Sequence, residues 1–286
     1  MLTRRNAIAS IATVVARPRS LFAAPASDLA SALTALEAKS KGRLGCAVLF
    51  PSGRHVAHRA DERFPMCSTF KFLAASLVLK RVDQGKEHLD RAISFLTTDL
   101  VTYSPITEKR VADGSMTVAE LCVAALTLSD NTAANLLLAS FGGPPAVTAF
   151  ARSIGDKMTR LDRNETSLNE GTPGDPRDTT TPNAMLANLQ RILFGDVLSA
   201  PSRELLTKWM LANTTGKPKF VAGLPNGWKV ADKTGAGDHG SNNDIGVLYP
   251  PEGKPILIAS YLTETTLSTD ERNAIHVGIA RAISTK

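Results

Sequence analysis

Strand-forming patterns stand near the two ends of this chain, with helical patterns from Ser68 to Met210 between them. Near the start, Gly45 to Phe50 and Arg54 to His58 flank the turn Pro51-Ser52-Gly53 and read as a hairpin. After Trp228 come Lys229 to Thr234, Ile245 to Tyr249 and Ile256 to Thr263, separated by turn residues. Short strands are stable only when paired, so the hairpin and the three late strands are expected to form one antiparallel sheet that joins both ends of the chain. The helical middle must then be an insertion. The expected fold is α+β, an α/β-α sandwich: a five-stranded antiparallel sheet flanked by helices, plus an inserted all-helical domain, with a cleft between them. Residues 27–62 and 213–286 would form the sheet domain and residues 63–212 the helical one, and a site is expected in the cleft.

Local signals sharpen this frame. Ser27 to Ser40 reads as a helix with Leu29, Leu33 and Leu36 on one stripe, and Ile275, Ile279 and Ile283 line one face of a last helix. Thr117 with Glu120, and Ser268 with Glu271, are capping boxes. Gly142-Gly143-Pro144-Pro145 is a helix stop. The stretch from Asn164 to Pro182 has turn-forming residues and no periodicity, and an irregular loop of that length is usually functional.

A formal charge of +6 invites a nucleic-acid reading, but Arg4, Arg5, Arg17 and Arg19 sit in residues 1–26, which hold no acid. Without those four, the balance of 33 basic and 27 acidic residues falls to within two of neutral, and no nucleic-acid surface is indicated. The twin arginine, the apolar run Ala7 to Ala16 and the small-residue site Ala24-Pro25-Ala26 together read as an export signal. No later stretch approaches the roughly 18 uninterrupted apolar residues of a membrane span. A periplasmic, monomeric protein is expected. Cys46, Cys67 and Cys122 show no metal-ligand spacing and read as buried thiols, and no cofactor or metal motif is present.

Chemistry is concentrated in short motifs. In Ser68-Thr69-Phe70-Lys71, positions i and i+3 share a helix face, so the Lys71 amine stands beside the Ser68 hydroxyl. The residues after it are apolar almost all round, which buries the helix and makes Lys71 a buried lysine, a state often kept for chemistry. Ser129-Asp130-Asn131 follows an apolar helix and on its own is no more than an N-cap. Lys233-Thr234-Gly235 lies on a strand and on its own is a solvated polar face. Glu165-Thr166-Ser167-Leu168-Asn169 puts a carboxylate on the one irregular segment able to reach the cleft.

This ordered set, SxxK, SDN and KTG with ExxLN, resembles the class A serine β-lactamases from about Ser27 to the C-terminus. The resemblance implies hydrolysis of penicillins and cephalosporins through a covalent Ser68 acyl-enzyme, and antibiotic resistance. It makes Ser68 the nucleophile, has Lys71 and Ser129 pass protons, and has Glu165 with Asn169 hold the hydrolytic water. Asn131 would bind the antibiotic's amide side chain; Lys233, Thr234 and Gly235 would line the side that takes its carboxylate; Tyr103 would form the opposite wall. It also places an ion pair, Arg163 with Asp178, at the base of the long loop. The acylation base is Lys71 or Glu165, left open by sequence. Because the reaction develops an oxyanion, two backbone N–H groups are needed, and those of Ser68 and Ala236 are the candidates. Family variants bridge the nucleophile helix, or Cys67, by disulfides; Ala75 and Gly237 stand where the partners would be, so neither bridge can form, and carbapenem activity stays open. Many members supply an arginine to the substrate carboxylate, and the matching residue here is Lys219. A penicillin-binding peptidase or a β-lactam sensor shares three of the motifs; Glu165 speaks against both.

Overall fold

The computed structural model describes residues 26–285, so the expected export signal, residues 1–26, lies outside the described residues but for Ala26. In chain order the elements are α1 (Ala26–Ser40), β1 (Arg43–Leu49), β2 (His55–His58), β3 (Phe64–Pro65), α2 (Phe70–Asp83), β4 (Ala92–Ser94), α3 (Thr107–Arg110), β5 (Ser115–Thr117), α4 (Val118–Thr127), α5 (Asn131–Ser140), α6 (Pro144–Ser153), β6 (Thr179–Thr180), α7 (Pro182–Phe194), α8 (Ala200–Leu211), β7 (Lys229–Ala236), β8 (Asn242–Tyr249), β9 (Ile256–Thr263) and α9 (Thr269–Ser284).

The large sheet is antiparallel, in the order β2-β1-β9-β8-β7. Strand pleating sends alternate residues to opposite faces. Leu44, Cys46, Val48, Ile258 and Leu262 face one side and pack with Leu29 and Leu33 of α1 and with Ile275, Ile279 and Ile283 of α9. Ala47, Ala231, Ile245, Val247, Ala259 and Tyr261 face the other and join the core of the helical body. Burying each such Ile or Leu side chain stabilises by about 1.5–3 kcal/mol, so the stripes on α1 and α9 suffice to clamp both chain ends to one face. Both capping boxes form: Thr117 accepts from the Glu120 N–H while Glu120 accepts from that of Thr117, and Ser268 and Glu271 do the same. The Gly142-Gly143-Pro144-Pro145 stretch follows the end of α5, with both glycines at positive φ, and its prolines open α6.

In two respects the helical middle differs from a plain run of helices. Ser68 lies in a 3-10 turn, Cys67–Thr69, that leads into α2. Two small strand pairs, β3 with β6 and β4 with β5, also interrupt it. The first matters for the site: β3 leads directly into the nucleophile turn and β6 ends the long loop, so their pairing ties the two together.

Candidate active site

The buried α2 helix carries Lys71 into the cleft at 1% exposure. Its Nζ stands 2.9 Å from Ser68 Oγ, 2.8 Å from Ser129 O, 3.4 Å from Ser129 Oγ, 2.6 Å from Asn131 Oδ1 and 2.9 Å from Glu165 Oε1. Five acceptors around three protons favour the ammonium. Burial nevertheless pulls the Lys71 pKa below the usual lysine range, against the opposing charge of Glu165. Ser68 donates to Glu165 Oε1 at 3.1 Å. The Ser68 hydroxyl therefore has two titratable groups within hydrogen-bond reach, Lys71 and Glu165.

Ser129 has φ +59, a left-handed conformation that few serines adopt and that buried surroundings must hold. Its hydroxyl accepts from Lys233 Nζ at 2.9 Å as well as from Lys71, which leaves its own proton free to be donated. Asp130 is the N-cap of α5, accepting from Ala133 N, and its carboxylate also takes Ile106 N, Thr107 N and the Thr107 hydroxyl. The triplet is thus both a helix cap and part of the site: the capping geometry is what aims Ser129 and Asn131 inward. Asn131 N donates to Tyr103 O and Asn131 Nδ2 to Thr102 O, fastening the Tyr103 segment to α5.

Lys233 is fully buried and Thr234 nearly so, so the motif on β7 is no solvated face. Burial, and then the positive charge of Lys71, push the Lys233 pKa well down. β7 is the edge strand of the sheet, so the outward backbone groups around Gly235 and Ala236 face the cleft rather than another strand. Thr234 Oγ1 shares a 2.6 Å hydrogen bond with Thr215. Lys219 is also no surface lysine: it is 5% exposed, sits in an irregular turn over Lys217–Val221, and donates to Asn243 O at 2.9 Å. Burial pulls its pKa down to about 8, while Asp244 and Asp232 act to raise it.

The long loop is closed at its base as the resemblance implied. Arg163 Nε lies 2.6 Å from Asp178 Oδ2, and Asp178 Oδ1 also accepts from the backbone N–H groups of Asp162 and Arg163. Asn169 Nδ2 donates to Glu165 Oε2. Sequence reasoning missed Asn135, whose side chain clamps the Glu165 backbone from both directions, donating to Glu165 O and accepting from Glu165 N, each at 2.9 Å. Its signal was present: it follows Asn131 by four residues and so shares the cleft face of α5. All three cysteines are buried free thiols, and burial lifts Cys67, beside the nucleophile, to about 12, which leaves it unreactive.

Ser68, Tyr103, Ser129, Asn131, Asn169, Lys219, Thr234, Gly235 and Ala236 all line one cleft of about 410 Å³, together with Thr215, Asn242 and Asn273, which sequence reasoning did not single out. Lys71, Glu165 and Lys233 lie just behind its wall through the contacts above. Among the described residues no cluster of His, Cys, Asp and Glu could hold a metal ion, and no helix is long and apolar enough to cross a membrane.

An α+β frame with a serine at the mouth of a buried helix, ringed by two lysines, a second serine and a loop carboxylate, is the form of the active-site serine enzymes that react with β-lactams. A sequence model described as "Beta-lactamase enzyme family" matches residues 28–286, and the chain belongs to that family, within its class A serine enzymes. It is 46% identical over 262 residues to β-lactamase CTX-M-8 of Citrobacter amalonaticus, covering 91% of this chain and 90% of that one. It is 49% identical over 252 residues to β-lactamase FAR-1 of Nocardia farcinica, covering 88% and 80%. Among solved structures, an ancestral class A β-lactamase superposes with TM-score 0.88 at 59% identity, covering 89% of this chain and 98% of that one.

Proposed function

We propose that the chain hydrolyses the amide bond of penicillins and cephalosporins, with Ser68 as nucleophile, and that it is exported and protects its host from these antibiotics. Ser68 Oγ attacks the lactam carbonyl, and its proton passes to Lys71 or Glu165. The oxyanion is held by the N–H groups of Ser68 and Ala236, where donors fixed in place are typically worth 10²–10³ in rate each. Ser129, accepting from two lysines, gives its proton to the departing ring nitrogen and recovers one through Lys71, 3.4 Å away, which passes on the proton taken from Ser68, so that Glu165 ends acylation ionised. Glu165 then draws a proton from water to release the acyl group. Asn169 Oδ1 has no protein donor and so is available to that same water. Lys219, Lys233 and Thr234 take the substrate carboxylate, Asn131 its amide side chain, and Tyr103 forms the facing wall.

The observation that carries this reading is Glu165 within 3.1 Å of Ser68 Oγ, on a loop closed by a buried ion pair. A peptidase or sensor that stops at the acyl-enzyme needs no such carboxylate. General-base catalysis is typically worth about 10²–10⁴ in rate, so Glu165→Ala is expected to acylate and then release product that much more slowly. Mass spectrometry of the variant after mixing with a penicillin should show a lasting adduct on Ser68. Turnover by the wild type, with no adduct on the variant, would sink the assignment.

A further inference from the structure

The two proposed oxyanion donors belong to different elements. Ser68 N is on the nucleophile turn and Ala236 N is on β7, so the gap between them depends on whatever joins turn to sheet. Asn243 of β8 makes that join. It is 1% exposed, and its Nδ2 donates to Pro65 O at 2.9 Å and to Met66 O at 3.0 Å. Those carbonyls belong to the two residues just before Cys67 and Ser68, and Met66 O also takes the N–H and hydroxyl of Thr69. The orientation of the amide is chemically dictated, since turning it over would set Oδ1 against two carbonyl oxygens; as it stands, Oδ1 has no partner.

Gly235 of β7 pairs directly with Asn243 in the sheet register. A Cβ at position 235 would lie 2.7 Å from Met66 O, 3.2 Å from Asn243 Nδ2 and 3.2 Å from Ser68 N. The bare glycine lets the turn seat against the sheet, and the amide opposite holds it there. The Asn243 carbonyl, in turn, accepts from Lys219.

We propose that Asn243 is a positioning residue: it fixes the nucleophile turn against β7 and so sets the spacing of the Ser68 and Ala236 N–H groups. This rests on the acyl-enzyme reading above. Oxyanion donors act only within a few tenths of an ångström of their working distance, so a loosened turn weakens them in the transition state and leaves ground-state binding alone.

The test uses the full-length protein in a Glu165→Ala background, where the acyl-enzyme persists. Adding Asn243→Ala should lower the acylation rate by about 10- to 100-fold with the dissociation constant of the preceding complex nearly unchanged. The infrared band of the acyl carbonyl should move to higher frequency and broaden, a change that loss of stability alone does not produce. Should Asn243→Ala fold poorly, Asn243→Val fills the space and favours the strand while removing the donor, and is expected to behave alike. Absence of an adduct both in Glu165→Ala and in rapidly quenched wild type would defeat the acyl-enzyme reading. An adduct whose rate of formation and carbonyl band are unmoved by either Asn243 substitution would overturn the proposal, as would a weaker complex with an unchanged acylation rate.

Discussion

Lys219 stands in a polar segment, Lys217-Pro218-Lys219, whose neighbours do not reveal how far it is buried. The irregular turn folds it inward, where Asn243 O takes one of its three protons and leaves two for an anion in the cleft. With its pKa near 8, it is charged below that pH and neutral above it. If it attracts the substrate carboxylate, kcat/KM should fall as pH rises through about 8, by way of KM. A charge-assisted hydrogen bond is worth about 1.5–3 kcal/mol, so Lys219→Ala should lower kcat/KM roughly 10- to 150-fold at neutral pH and abolish that limb. Lys219→Arg should recover much of the loss and carry the charge to higher pH, since guanidinium does not titrate there. Steady-state kinetics with several penicillins from pH 6 to 9 decide it: values within twofold of wild type for Lys219→Ala would leave the carboxylate to Lys233.

Among the elements, the loop from Asn164 to the start of α7 has the least internal structure and depends most on its anchors. Its base is the Arg163–Asp178 pair, in which the Asp178 side chain is 1% exposed and that of Arg163 16%. An exposed pair would contribute at most about 1 kcal/mol, whereas deleting one partner of a buried pair costs about 3–5. The residual exposure of the arginine puts Asp178→Ala at the lower end, about 3 kcal/mol, including the two backbone N–H groups it orphans. Because Asp178 O also accepts from Met66 N, the damage should reach the nucleophile turn. Asp178→Ala is expected to melt earlier and to lose turnover of compact penicillins more than of bulky cephalosporins, for which a wider cleft is tolerable. Asn135→Ala removes the clamp on Glu165 without touching the loop's base, and should slow deacylation while shifting the melting temperature less. Calorimetry with pre-steady-state kinetics separates the two, and equal effects on stability would contradict this division of labour.

For the whole molecule, the sheet interior holds an acid pair that links stability to pH. Asp232 of β7 and Asp244 of β8 are both at most 1% exposed and close enough to act on one another's charge; Asn213 donates to Asp232, whereas neither Asp244 oxygen has a protein donor. Burial, and then the charge of Asp232, hold the Asp244 pKa well above the carboxylate range, with Lys219 opposing. Below about pH 4 folded and unfolded chains both carry this proton; above it only the folded chain does, so stability falls as pH rises, by at most about 1.4 kcal/mol per unit. Asp244→Asn supplies the same donor without titrating. It should match wild type near pH 4 and exceed it in melting temperature at pH 7–8; parallel pH–stability curves would contradict a proton held on Asp244 by burial. Much of the molecule was legible before folding. Strand patterns at both ends dictated one sheet, because unpaired strands leave polar backbone groups unsatisfied, and caps such as Thr117 and Ser268 marked helix starts by chemistry within four residues. That Ser68 and Lys71 would stand together was legible for the same reason, since both belong to one short local motif, as was the placing of Glu165 on the irregular loop. The tertiary structure alone decided the burial of Lys219, the joint burial of Asp232 and Asp244, the grip of Asn135 on Glu165 and the bridge from Asn243 to Met66. Such contacts join residues far apart in sequence or turn on how a sheet face is covered, and the energy of a polar group depends on the partners and solvent it finds there, which no local pattern encodes.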